Sequence, residues 1–390
     1  MRIGNTIYLD YQATTPVDPL VFEAMMPHFL TQFGNPHSSE HFMGWKADES
    51  VQTAKAKISG LIASDSDEII FTSGATESNN LALFGLAGRC SSKRNKVMLS
   101  SIEHKSVLAV ASQLHKKFDV ECLTIPVNRE GIIDTDFIAD NLDDSFMVIS
   151  IIGVNNEIGT IQSLTDIGVL AHRHGALFHC DAAQAPCAID INVLDMNIDL
   201  LSLSAHKIYG PKGIGALYIK REHLDKIEPQ IYGGGQQNAI RSGTLPVPLC
   251  VGFGKAAEIL SGESSGYERK RIEMLRDRFV DSLVGLEWQI SSNGPESRLR
   301  HPGNANLMFK GFSAPDILSA LQPDIAASTG SACTSGTTEP SYVLRATGLS
   351  ADEANSSIRF SFGRFTSEND IDDAVMKINE TLSELNEDLF

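Results

Sequence analysis

Between Asp67 and Ile219, short runs of β-branched and apolar residues alternate with stretches whose apolar positions recur at helical spacing. Glu68–Thr72, Val97–Ser100, Val120–Thr124, Met147–Ile152, Leu177–Cys180, Leu200–Ser204 and Gly215–Ile219 read as strands, and Glu77–Ala87 and Ser106–Lys117 as helices crossing between them. Parallel neighbours require such crossovers, and a strand covered by helices on both faces is apolar along its whole length, as Phe146 to Ile152 is. The pattern predicts an α/β domain with a mainly parallel seven-stranded sheet flanked by helices.

Ahead of this region Val51, Ala54, Ile58, Leu61 and Ile62 form one apolar helical stripe, suited to docking on the sheet or on a partner. Beyond residue 255 the pattern changes. A charged helix around Glu268–Val284 leads into mixed short strands and a last helix whose buried face is Ile371, Ala374, Val375, Ile378, Leu382 and Leu385. Ser367 and Asp370 read as the capping box of that helix. The Gly- and Ser-rich segment 261–266 is the expected boundary. The division expected is 1–15 as an N-terminal segment of the small domain, 16–260 as the large α/β domain and 261–390 as a smaller α+β domain.

Composition narrows the function. With 49 acidic against 32 basic side chains the formal charge is −17, which repels nucleic-acid phosphates over most of the surface and excludes a broad DNA or RNA footprint. The 42% apolar content excludes disorder. No apolar run reaches membrane-spanning length, and the first residues carry no signal core, so a cytoplasmic protein without membrane contact is expected. The six cysteines, at 90, 122, 180, 187, 250 and 333, include no Cys-x-x-Cys pair, which argues against a disulfide framework or a zinc ribbon and leaves reduced thiols.

Four segments could carry chemistry. Thr72-Ser73-Gly74-Ala75-Thr76-Glu77 lies where a strand passes into a helix, a place suited to a phosphate and equally to an ordinary N-cap. Ser204-Ala205-His206-Lys207 ends another strand, where a lysine can be desolvated into an amine nucleophile or simply sit in solvent. Asp181 closes a buried strand and must find a cation or a hydrogen-bond donor, with helix capping as the plain alternative. Cys333, in a Gly- and Ser-rich stretch from Ser328 to Thr338, reads as a reactive thiol on a mobile exposed loop rather than a packed hydrophobe.

Together these segments, with VNNEIG (Val154–Gly159), RSGTLP (Arg241–Pro246) and SSIRFSFGRF (Ser356–Phe365), resemble cysteine desulfurases of the NifS/IscS type. These are fold type I pyridoxal-phosphate enzymes of the class V aminotransferase group. The resemblance runs from about Ile7 to Leu385. It implies that Lys207 holds pyridoxal 5'-phosphate as a Schiff base and that Asp181 pairs with the pyridine nitrogen. His104 would stack on the ring, and Gln184 and Asn155 would contact its phenolic oxygen side. Ala75, Thr76, Ser204 and His206 would hold the phosphate. Thr244 would reach the site of a neighbouring subunit, which makes a homodimer part of the catalytic unit. Arg359 would clamp the substrate carboxylate.

The implied reaction turns L-cysteine into L-alanine, with Lys207 moving the Cα proton and Cys333 taking the sulfur as a persulfide for an acceptor protein. A selenocysteine lyase, an aminotransferase of the same fold, or a noncatalytic interaction subunit are the alternatives. Cys333 separates the first two from a desulfurase, and the retained Lys207, Asp181, His104, Arg359 and Cys333 count against the last. Three departures stand out. Gly153 occupies a position where the family often has histidine, Thr329 replaces a common serine, and the chain stops at Phe390, where housekeeping iron–sulfur relatives often carry a longer scaffold-docking tail. Iron–sulfur scaffolds, tRNA thiolation and DNA phosphorothioation all remain open as destinations of the sulfur.

Overall fold

The structure, a computed structural model, describes residues 1–91, 93–330 and 339–387. The chain opens with a hairpin of β1 (Arg2–Ile3) and β2 (Thr6–Tyr8). Then come β3 (Ile69–Thr72), β4 (Lys96–Ser100), β5 (Glu121–Ile125), β6 (Phe146–Ile152), β7 (Leu177–Asp181), β8 (Leu200–Ser204) and β9 (Gly215–Ile219). The C-terminal third adds β10 (Ile290–Asn293), β11 (Asn304–Phe309), β12 (Ile325–Ala326) and β13 (Ser357–Ser361).

Strands β3 to β9 form one seven-stranded sheet in the order β3-β9-β8-β7-β6-β4-β5. Only β9 runs against its neighbours, because it returns from β8 through a short connection with no crossover helix between them. The four other pairings are parallel, matching the expected mainly parallel sheet. The helices Ala75–Gly88, Lys105–Phe118, Thr135–Asn141 and Leu164–Arg173 supply the crossovers. Every residue of the central strand β6 is buried, whereas the edge strand β5 exposes Glu121, Cys122 and Thr124. The long helix Phe42–Ile62 lays Val51, Ala54, Ile58 and Ile62 into the core cluster that also holds Phe71, Phe178 and Phe253.

A second core gathers Phe279, Leu307, Phe309, Phe360 and Ile378 under the antiparallel sheet β10-β11-β13, and Ile7 and Leu9 from the chain start pack into it. The N-terminus is drawn there because β2 pairs in parallel with β12 and the terminal amine reaches Asp370 at 2.7 Å. The helix Glu368–Glu387 is capped as its sequence predicts: Ser367 N–H donates to Asp370 Oδ2 at 2.9 Å, and Asp370 N–H donates to Ser367 Oγ at 3.2 Å. Residues 261–264 connect the helices Val247–Leu260 and Ser265–Val284, so Ser265 and Gly266 of the expected boundary already belong to the second helix.

Candidate active site

In an open α/β sheet the crevice beyond the carboxyl ends of the parallel strands is where ligands bind, since each strand there hands the chain to a loop and a helix N-terminus. Here that end opens a cavity of about 520 Å³. Ala75, Thr76, His104, Asp181, Gln184, Ser204, His206, Lys207 and Arg359 all line it. Sequence positions separated by more than 280 residues thus meet in one place, because the ends of β3, β4, β7 and β8 and the middle of β13 converge on it. Asn155 and Thr244 are not among its lining residues. Cys333 lies outside the described residues.

The strand-to-helix turn after β3 puts Gly74 at the N-cap of Ala75–Gly88 with φ 153°, a backbone that side chains rarely adopt. A Cβ at this position would come no nearer than 4.0 Å to Ser204 Oγ, so the demand for glycine is conformational and the approach to the helix stays open. The N–H groups of the first turn have no intrahelical acceptor, and Ala75 and Thr76 bring that turn to the cavity wall. Glu77 would repel an anion there, but its carboxylate is engaged by Arg241 Nε at 2.7 Å and by Ser73 N–H at 2.7 Å.

Lys207 follows β8 in a single 3-10 turn, and its amine donates to the carbonyls of Gln12 at 2.6 Å and Ala13 at 2.8 Å. His206 beside it is held neutral: burial, then the neighbouring charges of Lys207 and Lys212, push its pKa down to about 4. Its Nδ1 lies 3.1 Å from Thr14 Oγ1.

Asp181 ends β7 almost fully buried. Among the described residues no helix lies between β7 and β8 for it to cap; its Oδ1 accepts from Ala183 N–H at 3.1 Å within a turn, while Oδ2 accepts from Asn79 Nδ2 at 2.7 Å. The same amide nitrogen donates to Ser106 Oγ at 2.8 Å, and that hydroxyl lies 2.8 Å from His104 Nδ1. A continuous chain of contacts therefore fixes Asp181 and His104 relative to one another. His104 also N-caps its helix, Nδ1 accepting from Ser106 N–H at 3.1 Å. Glu103, next to it, is wholly buried, and desolvation pushes its pKa up to about 8 despite bonds from Ser100 Oγ and Ile152 N–H.

On the opposite wall Arg359, from β13, donates to Asp10 Oδ1 at 2.7 Å, Ser328 Oγ at 2.9 Å and the Asn156 carbonyl at 2.8 Å. Its Nε is buried without a partner among the described residues. Gln184 donates to the Gln12 carbonyl at 2.8 Å. Asn155 is committed to its own turn: Oδ1 accepts from Glu157 and Ile158 N–H, and Nδ2 donates to the Ile102 carbonyl at 3.0 Å. Thr244 is exposed.

Sequence reasoning missed Gln12 and Ala13, which hold Lys207, Asp10, which pairs with Arg359, and Asn79, which holds Asp181. At Gly153 a Cβ would lie 2.9 Å from Cys180 Sγ, so glycine there is matched to the cysteine behind it. Gly153→Ala is expected to lower stability by about 1–3 kcal/mol through overpacking, with Cys180→Ala recovering part of the loss in the double variant. Thermal denaturation of the three variants checks this, and an unchanged midpoint for Gly153→Ala would show that the core absorbs the methyl.

The class-V aminotransferase family model matches residues 7–374. A protein of Rickettsia massiliae called cysteine desulfurase IscS is 46% identical over 386 residues, covering 99% of this chain and 93% of that protein. The chain belongs to the cysteine desulfurases of the class-V aminotransferase family. Among solved structures, a NifS-like protein superposes with a TM-score of 0.90 at 31% identity, covering 97% of this chain and 99% of that one. A protein described as SspA in complex with cysteine gives 0.81 at 37% identity, covering 93% and 100%.

Enzymes of this family depend on pyridoxal phosphate, and the residues fit it. An amine on one wall, a buried carboxylate held from behind, and a helix start with its like charge neutralised are the groups that an aldehyde, a pyridine nitrogen and a phosphate require.

Proposed function

We propose that this desulfurase converts L-cysteine to L-alanine with pyridoxal phosphate and passes the sulfur through Cys333 to an acceptor protein. The observation that carries the reading is that the Lys207 amine, the Asp181 carboxylate and the Arg359 guanidinium line one cavity. Lys207 would hold the cofactor, Asp181 would keep a proton at its pyridine nitrogen, and His104 would cover its face. Ala75, Thr76, Ser204 and His206 would receive its phosphate, and Gln184 and Asn155 would contact its phenolic oxygen side. The bound cofactor supplies an electron sink for charge at Cα.

The chain's own groups then divide the work. Arg359 binds the substrate carboxylate, for which a planar guanidinium at the cavity wall is suited. The Lys207 amine carries the proton from Cα. The Cys333 thiolate attacks the substrate sulfur, so that the C–S bond breaks, an S–S bond forms, and the substrate carbon leaves protonated as alanine. One cysteine and one thiol give one alanine and one persulfide.

The described thiols are poor candidates for that attack. Burial raises Cys187 and Cys250 to about 12 and raises Cys90 and Cys180 as well, while Cys122 is exposed on the edge strand β5 and does not line the cavity. A transaminase needs no such nucleophile, which favours sulfur transfer over amino-group exchange.

A homodimer is part of this reading. Nine of the nineteen large apolar side chains left exposed among the described residues fall between Leu20 and Trp45, including Phe29, Leu30 and Phe33. A second copy covering this surface would account for it and for the exposed Thr244. No helix among the described residues is long and apolar enough to cross a membrane, and the unpaired cysteines suit the reducing cytoplasm. The acceptor belongs to iron–sulfur assembly, tRNA thiolation or DNA phosphorothioation, and crosslinking the persulfidated enzyme to its partner distinguishes them.

The test is stoichiometric formation of alanine and protein persulfide from L-cysteine. In Arg359→Ala, loss of a charge-assisted pair should raise the half-saturating cysteine concentration about 10- to 100-fold. A titration of the cofactor's visible spectrum with cysteine reads this directly, and an unchanged curve would remove Arg359 from substrate binding.

A further inference from the structure

Cys333 lies between Gly330 and Ser341 in the sequence, and both of these flanking residues meet the side chain of one buried glutamate. On the far side Ser341, N-cap of the helix Tyr342–Ala346, donates its hydroxyl to Glu157 Oε2 at 2.5 Å. On the near side Gly330, with φ 84°, packs so that a Cβ would lie 3.3 Å from Glu157 Cγ and 3.6 Å from Arg359 Cβ. Glu157 is 2% exposed and held from behind: its N–H donates to Asn155 Oδ1 at 2.8 Å, and its carbonyl accepts from Asn304 at 3.1 Å and Asn306 at 3.2 Å. The preceding carbonyl, of Asn156, receives the Arg359 guanidinium. The next residue after Ser341 is pinned as well, Tyr342 OH donating to the Glu103 carbonyl at 2.6 Å beside His104.

We infer that Glu157 is a positioning residue for the sulfur nucleophile: its carboxyl group holds Ser341 on one flank of the Cys333 segment, and its stem packs beside Gly330 on the other, next to Arg359. The inference rests on the desulfurase reading above. A buried carboxyl serving only to stabilise the fold would sit anywhere in the core. This one meets both ends of the segment that must deliver the thiol, one residue from the carbonyl that holds the carboxylate clamp. Loosening it would free Ser341 and the Gly330 turn without removing a group assigned to cofactor or substrate.

Ser341→Ala removes one hydroxyl and is the primary variant. Its kcat for alanine formation should fall about tenfold, since misplacing a reacting group by an ångström costs up to about a hundredfold. The cysteine concentration that half-saturates the spectral change should stay within about twofold of wild type, because the clamp is intact. Glu157→Ala should match Ser341→Ala, the double variant should be no worse than either single one, and Glu157→Gln, which keeps an acceptor oxygen, should retain most of kcat. Wild-type kcat in Ser341→Ala, or a fall matched by an equal rise in half-saturation, overturns the positioning role, as does a double variant whose losses multiply. If Cys333→Ser still produced persulfide-derived sulfide, the desulfurase reading itself would fail. A dead Cys333→Ser beside a fully active Ser341→Ala would sink only the role of Glu157.

Discussion

Lys207→Ala should abolish turnover of L-cysteine, lowering the rate by roughly a thousandfold or more, because one amine is asked both to hold the cofactor and to carry the Cα proton. The amine is placed by two carbonyls, of Gln12 at 2.6 Å and Ala13 at 2.8 Å, that belong to a segment almost two hundred residues away in sequence. A released amine therefore has a defined resting position close to where it works. Removing it leaves the two carbonyls without that donor, at a cost of about 1–3 kcal/mol if they stay dry, so circular dichroism and thermal denaturation accompany the assay. The cofactor's visible absorbance should be weakened or lost on dialysis. A folded Lys207→Ala that still turned over cysteine within tenfold of wild type would show that another base does the work.

How much of this was visible beforehand depended on whether the deciding contacts were local. The seven strands of the main sheet were legible to within one or two residues, because a doubly covered strand must be apolar along its length and its ends are marked by polar turns. The helix after β3 begins at Ala75, two residues before the expected Glu77, because Gly74 caps it with a backbone that no side-chain pattern announces. Ser367 and Asp370 could be read as a capping box because both partners lie within one turn. The supports of the site could not be read in this way. Gln12, Ala13 and Asp10 matter only because β2 joins β12 and carries the chain start to the cavity.

Asn79 left a fainter sign. It shares one helical face with the buried Leu83 and Leu86, and a polar residue on an apolar face needs a partner. Which partner it takes, Asp181, follows only from the pairing of β6, β7 and β8. Asn155 makes the converse point. Its place in VNNEIG marks it for the cavity, yet turn geometry occupies its Oδ1 twice and spends one Nδ2 proton on Ile102, which leaves the second Nδ2 proton as the group it can offer.

Cys333→Ser should retain the cofactor spectrum and its response to L-cysteine while losing persulfide and alanine production to below about one-hundredth of wild type, since a serine hydroxyl at neutral pH cannot replace a thiolate as sulfur acceptor. The expectation is anchored in chain geometry. Gly330 lines the cavity together with Lys207 and Arg359. Cys333 follows it by three positions in the sequence. Among the described cysteines Cys187 touches the lysine residue itself, its Sγ lying 3.5 Å from the Lys207 backbone carbonyl, but its thiol is raised to about 12 by burial. Cys187→Ser is therefore the matched control and should turn over cysteine normally. Mass spectrometry of the protein after a single turnover should find the additional sulfur on Cys333, and finding it on Cys187, or full activity in Cys333→Ser, would transfer the nucleophile's role away from position 333.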